Sequence, residues 1–339
     1  MSTFLTGVRT VAAQEFRLRL RAGRWRWLLA SWLVVVTAFT VAVRLSLSAT
    51  AEAVRDDSTE PFGTPMYGAL MLLVLGLGLL IVPALTAQSV NGDRERGTLA
   101  TLQVTLLRPA EIAVGKLVAA WATSLVFLAL TLPLVVWCVA EGGVPGGRLV
   151  VTLLVVALLL GVTCAIAQCL SAVLVRSTTS AVLSYLVVFA LTIGTLIVFG
   201  LATAMTQERV ERTVTYPDTR ESYTYTTTQS RTDKVWWLLA PNPFVVLADA
   251  APALPHRIDP VTGWREPVGF DPLGEIGRAV RELRLPPAEP MAARYSDAVV
   301  EDVVTEERAE GKWVWPYGLA LNVLLGAAAL AVTTRRLRT

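Results

Sequence analysis

Val82-Pro83-Ala84-Leu85-Thr86-Ala87-Gln88-Ser89-Val90-Asn91-Gly92-Asp93-Arg94-Glu95-Arg96-Gly97-Thr98-Leu99 is the stretch that decides how the rest of the chain is read. An apolar run ends at Asn91-Gly92, charges of alternating sign follow, and a Gly-Thr-Leu step leads on to Leu102 and Leu106. Leu99, Leu102 and Leu106 recur at helical spacing and predict a short helix with one apolar stripe. Arg108-Pro109 ends it. Pro109 suits the first position of a new helix, and Glu111 falls near the positive end of that helix's dipole. Loop 91–116 therefore reads as helix, sharp turn, helix, the second continuing through Lys116 into another apolar run. So short a loop cannot cover its own apolar stripe, which suits a partner surface. The plainer alternative is packing against the protein's own helix ends or the bilayer interface.

The composition around this loop is that of a membrane protein. Of 339 residues, 54% are hydrophobic and only 17% charged, with a mean hydropathy of +0.55. Soluble domains carry about 25% charged residues. A membrane-crossing helix needs about 20 mostly apolar residues, and runs of that kind are predicted at 27–47, 66–90, 117–140, 149–175, 181–205 and 314–332. The first 25 or so residues hold arginines and no apolar core with a small-residue cleavage site, so the first span is expected to remain as an uncleaved anchor.

Lysine and arginine are biased to one side of these spans. Arg9, Arg17, Arg19, Arg21, Arg24 and Arg26 precede span one; Arg94, Arg96, Arg108 and Lys116 follow span two; Arg176 follows span four; Arg335, Arg336 and Arg338 form the tail. The opposite short loops, 48–65 and 141–148, hold only Arg55 and Arg148. By the positive-inside rule both termini are expected in the cytoplasm of a plasma membrane, with loop 205–312 outside. Arginine outnumbers lysine 27 to 3, in keeping with a GC-rich bacterial coding sequence.

The organisation expected is all-α and polytopic, with six transmembrane helices, an amphipathic N-terminal interfacial helix and a small mixed α/β extracytoplasmic insertion. Residues 1–204 carry the N-terminal helix, spans one to five and loop 91–116; 205–312 form the outer loop domain; 313–339 hold the last span and a basic tail. In the N-terminal helix Phe4, Val8, Ala12, Phe16 and Leu20 recur every four residues on one face, with arginines over the rest. Pro83 and Pro133 are positioned to kink spans two and three. The outer loop holds 11 of the 18 prolines. Within it Val210–Tyr216 and Tyr223–Thr228 predict a β-hairpin, Pro243–Ala251 a short interfacial helix, and Asp271–Leu285 a helix with Asp271 as N-cap.

Several chemistries lack their residues. Ala110-Glu111-Ile112-Ala113-Val114-Gly115-Lys116-Leu117 approaches a phosphate-binding loop but lacks its first glycine and its magnesium-binding Ser/Thr. The predicted spans are nearly free of ionisable groups; Arg44, near the outer end of span one, is expected to snorkel, and ion-coupled transporters keep such groups at mid-membrane. Cys138, Cys164 and Cys169 lie in apolar runs and read as inert thiols. No catalytic residues, bound cofactor, metal site or nucleic-acid partner are expected of the chain. Energy is therefore expected from a soluble partner acting on loop 91–116.

The segment 82–99, continued by Leu106-Leu107-Arg108-Pro109-Ala110-Glu111-Ile112-Ala113-Val114-Gly115-Lys116-Leu117, resembles the signature loop of type-2 ABC exporter permeases. Those typically read Glu-Arg-Glu-Arg-Gly-Thr-Leu, then Leu-Ser-Pro, then Glu-Ile-x-x-Gly-Lys. Asp93 stands here for the usual first Glu, and Arg108 for the usual small residue before Pro. Pro241-Asn242-Pro243-Phe244 also resembles a recurrent feature of that family. The resemblance implies a non-catalytic permease subunit in the bilayer, paired with a second permease copy or paralogue and with cytoplasmic ABC ATPase subunits that bind the ATP and magnesium. Asp93, Arg94, Glu95, Arg96, Gly97, Thr98, Leu99, Leu102, Leu106 and Pro109 would form the coupling loop. Glu95 and Arg96 would supply polar contacts, Gly97 the turn, and the leucines an apolar face. Phe4, Val8, Phe16 and Leu20 would mark the interfacial helix. The alternative expectation is a membrane scaffold that passes ATPase-driven motion to an outer partner without moving cargo.

Overall fold

The computed structural model describes residues 2–21, 24–54, 61–95, 97, 108–215, 222–254, 256–258, 265–267, 270–286 and 312–338. These residues are mostly helical. Among the described residues, six helical stretches are long and apolar enough to cross a membrane: Trp25–Glu52, Gly63–Glu95, Pro109–Ala140, Gly146–Val173, Ser177–Met205 and Trp315–Arg336. Each sits where an apolar run predicted it, and most run several residues further, because charged and glycine-rich ends continue the helices past the apolar core.

In chain order the helices are α1 Ser2–Arg21, α2 Arg24–Val54, α3 Gly63–Thr86, α4 Asn91–Glu95, α5 Pro109–Leu130, α6 Leu132–Ala140, α7 Gly146–Val173 and α8 Ser177–Phe189. A π-turn, Ala190–Gly194, joins α8 to α9, Thr195–Met205. Then come strands β1 Gln207–Thr215 and β2 Ser222–Ser230, α10 Pro243–Ala250, strands β3 His256–Ile258 and β4 Arg265–Pro267, α11 Pro272–Glu282 and α12 Trp315–Arg336. The chain divides into two compact units: residues 1–189, 252–272 and 321–339 form the first, and 190–251 and 273–320 the second.

In the first unit α3 and α7 form the best-covered pair. Leu70, Met71, Val74 and Leu75 of α3 and Val156, Leu159 and Leu160 of α7 are buried. Gly78 lets α7 approach, since a Cβ there would stand 2.6 Å from Leu160 Cδ2. Trp25 and Trp32 of α2 meet Phe127 of α5 edge-on. Hydroxyls donate back along their own helices, Thr123 to Ala119 O at 2.8 Å and Thr163 to Leu159 O at 2.9 Å, which suits a medium without water. Pro83 lies inside α3, whereas Pro133 ends one helix and starts the next, with Thr131 as the break between α5 and α6.

Two arginine–carboxylate pairs join described residues of this unit. Arg44 was expected to reach for headgroups; instead its Nε donates to Glu141 Oε1 at 3.0 Å and its guanidinium stacks on Phe62. Asp271 was expected to cap α11. Its carboxylate is engaged by Arg148, which donates through Nη2 to both oxygens at 2.6 and 2.7 Å and through Nη1 to Pro252 O at 3.1 Å. Arg148 is 2% exposed, and the bidentate carboxylate supplies the counter-charge its burial requires.

In the second unit β1 and β2 pair antiparallel, Gln207 opposite Ser230 and Thr215 opposite Ser222, as the alternating pattern predicted. Glu208 closes the hairpin's open end, accepting from Arg231 at 2.7 Å and Lys234 at 2.6 Å. Lys234 and Arg231 hold the Glu208 carboxyl below its ordinary range, and Arg231 does the same to Asp233. The helix α10 was expected to lie in an interface. All its residues but the half-buried Phe244 are buried, Asp249 included. Leu239, Ala240, Val245, Val280 and Val314 form the apolar core beside it. Gly277 and Gly318 let the neighbouring helices reach the backbone at Ala248 O and Ala240 O.

Candidate functional site

The charged loop leaves α3 through a turn at 87–90 that α7 holds in place. Ser171 Oγ accepts the backbone N–H groups of Val90 and Asn91, each at 3.1 Å. The helix α4 follows. Asp93 faces inward and is 8% exposed, whereas Glu95 is exposed. Arg94 folds back, donating to Asn91 Oδ1 at 3.3 Å and Leu174 O at 3.4 Å. Gly97 has a φ of +73°, in the left-handed region that favours glycine. Arg96, Thr98, Leu99, Leu102 and Leu106 lie outside the described residues.

The return limb starts at Pro109, the first residue of α5. Arg108 N–H donates to Glu111 Oε2 at 2.9 Å, so the acid closes the first turn. One turn further on, the Gly115-Lys116 pair does two jobs. A Cβ at Gly115 would stand 2.7 Å from Val11 Cβ, so the glycine admits α1 against α5. The Lys116 ammonium then gathers three elements. It donates to Asp93 Oδ2 at 2.5 Å, to Ser89 O at 3.1 Å, and to Glu15 Oε1 of α1. An ammonium has three donors and no acceptor, and here each donor has a partner. Lys116 is 1% exposed.

Beneath this hub, Val90, Ile112, Ala113, Ala172 and Leu337 form an apolar cluster joining the turn, α5, α7 and the end of α12. Gln168 Nε2 of α7 donates to Ala113 O at 2.9 Å. The loop's two roots are thus one packed body with α1.

The inward face of α1 differs from the stripe read at every fourth residue. Gly7 and Val11 are its buried positions, with Phe4, Val8, Ala12, Glu15 and Phe16 half-buried beside them; the Leu20 side chain lies outside those described. A step of four overshoots a 3.6-residue turn by about 40°, so the true face alternates steps of three and four. Leu5 and Leu18 are exposed, as are Arg9 and Arg17.

Sequence reasoning placed Asp93 on the partner-facing loop and left Glu15 and Lys116 without roles. The available signal was Glu15 itself, an acid in an otherwise basic helix. Nothing in the arrangement is a nucleophile–base pair, and among the described residues no cluster of His, Cys, Asp and Glu could hold a metal ion. One ammonium thus ties α4, α5 and α1 together. The sequence profile described as ABC-2 family transporter protein matches residues 9–258. No curated protein matches the chain.

Proposed function

The chain belongs to the ABC-2 transporter family, a multi-pass membrane subunit, and on that premise we propose that it couples ATP hydrolysis in separate cytoplasmic subunits to export across the plasma membrane. Loop 91–116 seats in the ATPase, with Glu95 and Arg96 as polar contacts and Leu99, Leu102 and Leu106 as the apolar face. Closure of the ATPases pushes the loop, and the Lys116 hub carries that push into spans two and three and the N-terminal helix. The observation that supports this reading most is the buried ammonium joining Asp93 at the loop's root to Glu15 of α1. Because α1, with Leu5 and Leu18 outward among arginines, would lie in the cytoplasmic interface, the same push tilts a helix anchored in the bilayer surface.

The assembly proposed is two permease chains, identical or paralogous, with two ATPases. The fifth span supports a second copy: Val182, Leu186, Phe189, Ile193 and Leu196 are exposed, and only Ser180 and Ser184 of α8 are buried.

The test is Glu95→Ala combined with Leu102→Ala in the reconstituted complex. ATPase association and ATP-driven transport are expected to fall together; retention of both removes the coupling role. The triple variant Glu15→Gln, Asp93→Asn, Lys116→Met, which strands no charge, is expected to keep the ATPase bound while uncoupling transport. A scaffold that works an outer partner has the second unit's own apolar core in its favour. Sealed vesicles separate the two, since a scaffold hydrolyses ATP there without accumulating cargo.

A further inference from the structure

The fifth span is not a continuous α-helix. At Ala190–Gly194 it widens into a π-turn, and such turns often mark functional positions in helices. A π-turn shifts the i→i−4 ladder and calls for an outside donor to the carbonyls it displaces. Asn242 supplies one. Its Nδ2 donates to Thr192 O at 2.7 Å and to Thr195 Oγ1 at 2.9 Å. The amide orientation is not ambiguous: the other side-chain atom accepts from Phe244 N–H at 2.9 Å, and only the oxygen can do that. Asn242 is 1% exposed.

Asn242 is also the N-cap of α10, and the far end of α10 carries a second such residue. Asp249, fully buried, accepts from the N–H groups of Val314 at 2.6 Å and Trp315 at 2.7 Å, the start of the last span. It also faces Arg281 of α11 at 3.4 Å. One short, buried helix therefore holds the fifth span by an amide at its head and the sixth by a carboxylate at its tail.

We propose that α10 is a tie-rod between the fifth and last spans, with Asn242 the positioning residue that grips the π-turn. The tie makes the two spans move as a pair and fixes the register of the fifth at its mid-point. Its use in a transport cycle rests on the coupling reading above, whereas its existence does not.

Two measurements on the chain in a lipid bilayer decide it. Thr192-Ile193 is the only Thr-Ile step in the sequence, so carbonyl-labelled threonine with nitrogen-labelled isoleucine isolates one peptide signal by solid-state NMR. With asparagine side chains also labelled, a through-space contact from the Thr192 carbonyl carbon to an asparagine side-chain nitrogen is expected. For the second measurement, spin labels at Met205→Cys and Ala320→Cys, in a chain whose native cysteines are replaced, report the pairing of the two spans. Asn242→Ser keeps an N-capping oxygen but cannot reach Thr192. It is expected to move the Thr192 signal upfield by more than its linewidth and to broaden the distance distribution about twofold. Asn242→Ala, which also removes the cap, is expected to broaden it at least as much. A missing carbonyl–amide contact, or a native distribution in Asn242→Ser, overturns the tie. Adding the ATPase and trapping it with ATP and vanadate tests the other reading. If the native distance does not shift, the coupling reading fails while the tie is still judged by the first two results.

Discussion

Lys116 Nζ lies 2.5 Å from Asp93 Oδ2, and the same ammonium holds Glu15, 101 residues away in the chain. The loop root, the third span and the N-terminal helix are therefore joined at one atom. A buried cation between two carboxylates is costly to leave half-made, because whichever partner remains keeps its charge without its counterpart.

Lys116→Met should destabilise the chain by about 3–5 kcal/mol, the range for breaking a buried ion pair by removing one partner. Thermal unfolding in detergent or nanodiscs reads this. The triple variant Glu15→Gln, Asp93→Asn, Lys116→Met should recover much of the loss, because no charge is then stranded.

Gly115→Val should push α1 off α5, since even the first added carbon meets Val11 Cβ at 2.7 Å and Val8 O at 3.1 Å. Overpacking of this kind costs about 1–3 kcal/mol. Faster tryptic cleavage at Arg9 and Arg17 than in the native protein is the expected result.

The arginine–carboxylate pairs Arg148–Asp271 and Arg44–Glu141 should differ sharply in a double-mutant cycle. Arg148 and Asp271, at 2% and 12% side-chain exposure, should show a coupling of about 1–3 kcal/mol, and Arg148→Lys should lose much of it because the bidentate grip goes. Arg44 and Glu141, at 28% and 22%, should couple by less than about 1 kcal/mol.

The hairpin's base should weaken in acid. The carboxyls of Glu208 and Asp233 are held below their ordinary range by Lys234 and Arg231, so their contribution is complete above that range. It is lost as pH falls past the ordinary carboxylate range and through the lowered values. Hydrogen exchange across 207–215 and 222–230, corrected for its intrinsic pH dependence, should show protection falling in that window and unchanged between pH 5 and 8. Glu208→Gln should flatten the response.

What the sequence made legible follows from what the membrane demands. Spans announce themselves because each needs about 20 apolar residues in a row, and all six apolar runs became helices. The hairpin showed as period-two alternation, and Pro109 with Glu111 marked a helix start. The pairings did not show. Lys116 with Glu15, Arg148 with Asp271 and Asn242 with Thr192 are 101, 123 and 50 residues apart. Such partners are chosen by tertiary packing, which leaves no local period to read. For the same reason α10 reads as interfacial in the sequence: a short helix that is apolar but for Asp249 looks alike whether lipid or protein covers it.

The most direct test of the central claim is a mild-detergent pull-down of the tagged chain from its native membranes, native and with residues 93–108 replaced by a Gly/Ser linker. The account predicts that a soluble ATPase co-purifies at about one per permease with the native chain and is lost on replacement. Recovery of well-folded permease with no ATPase in either form, or with equal ATPase in both, would contradict it.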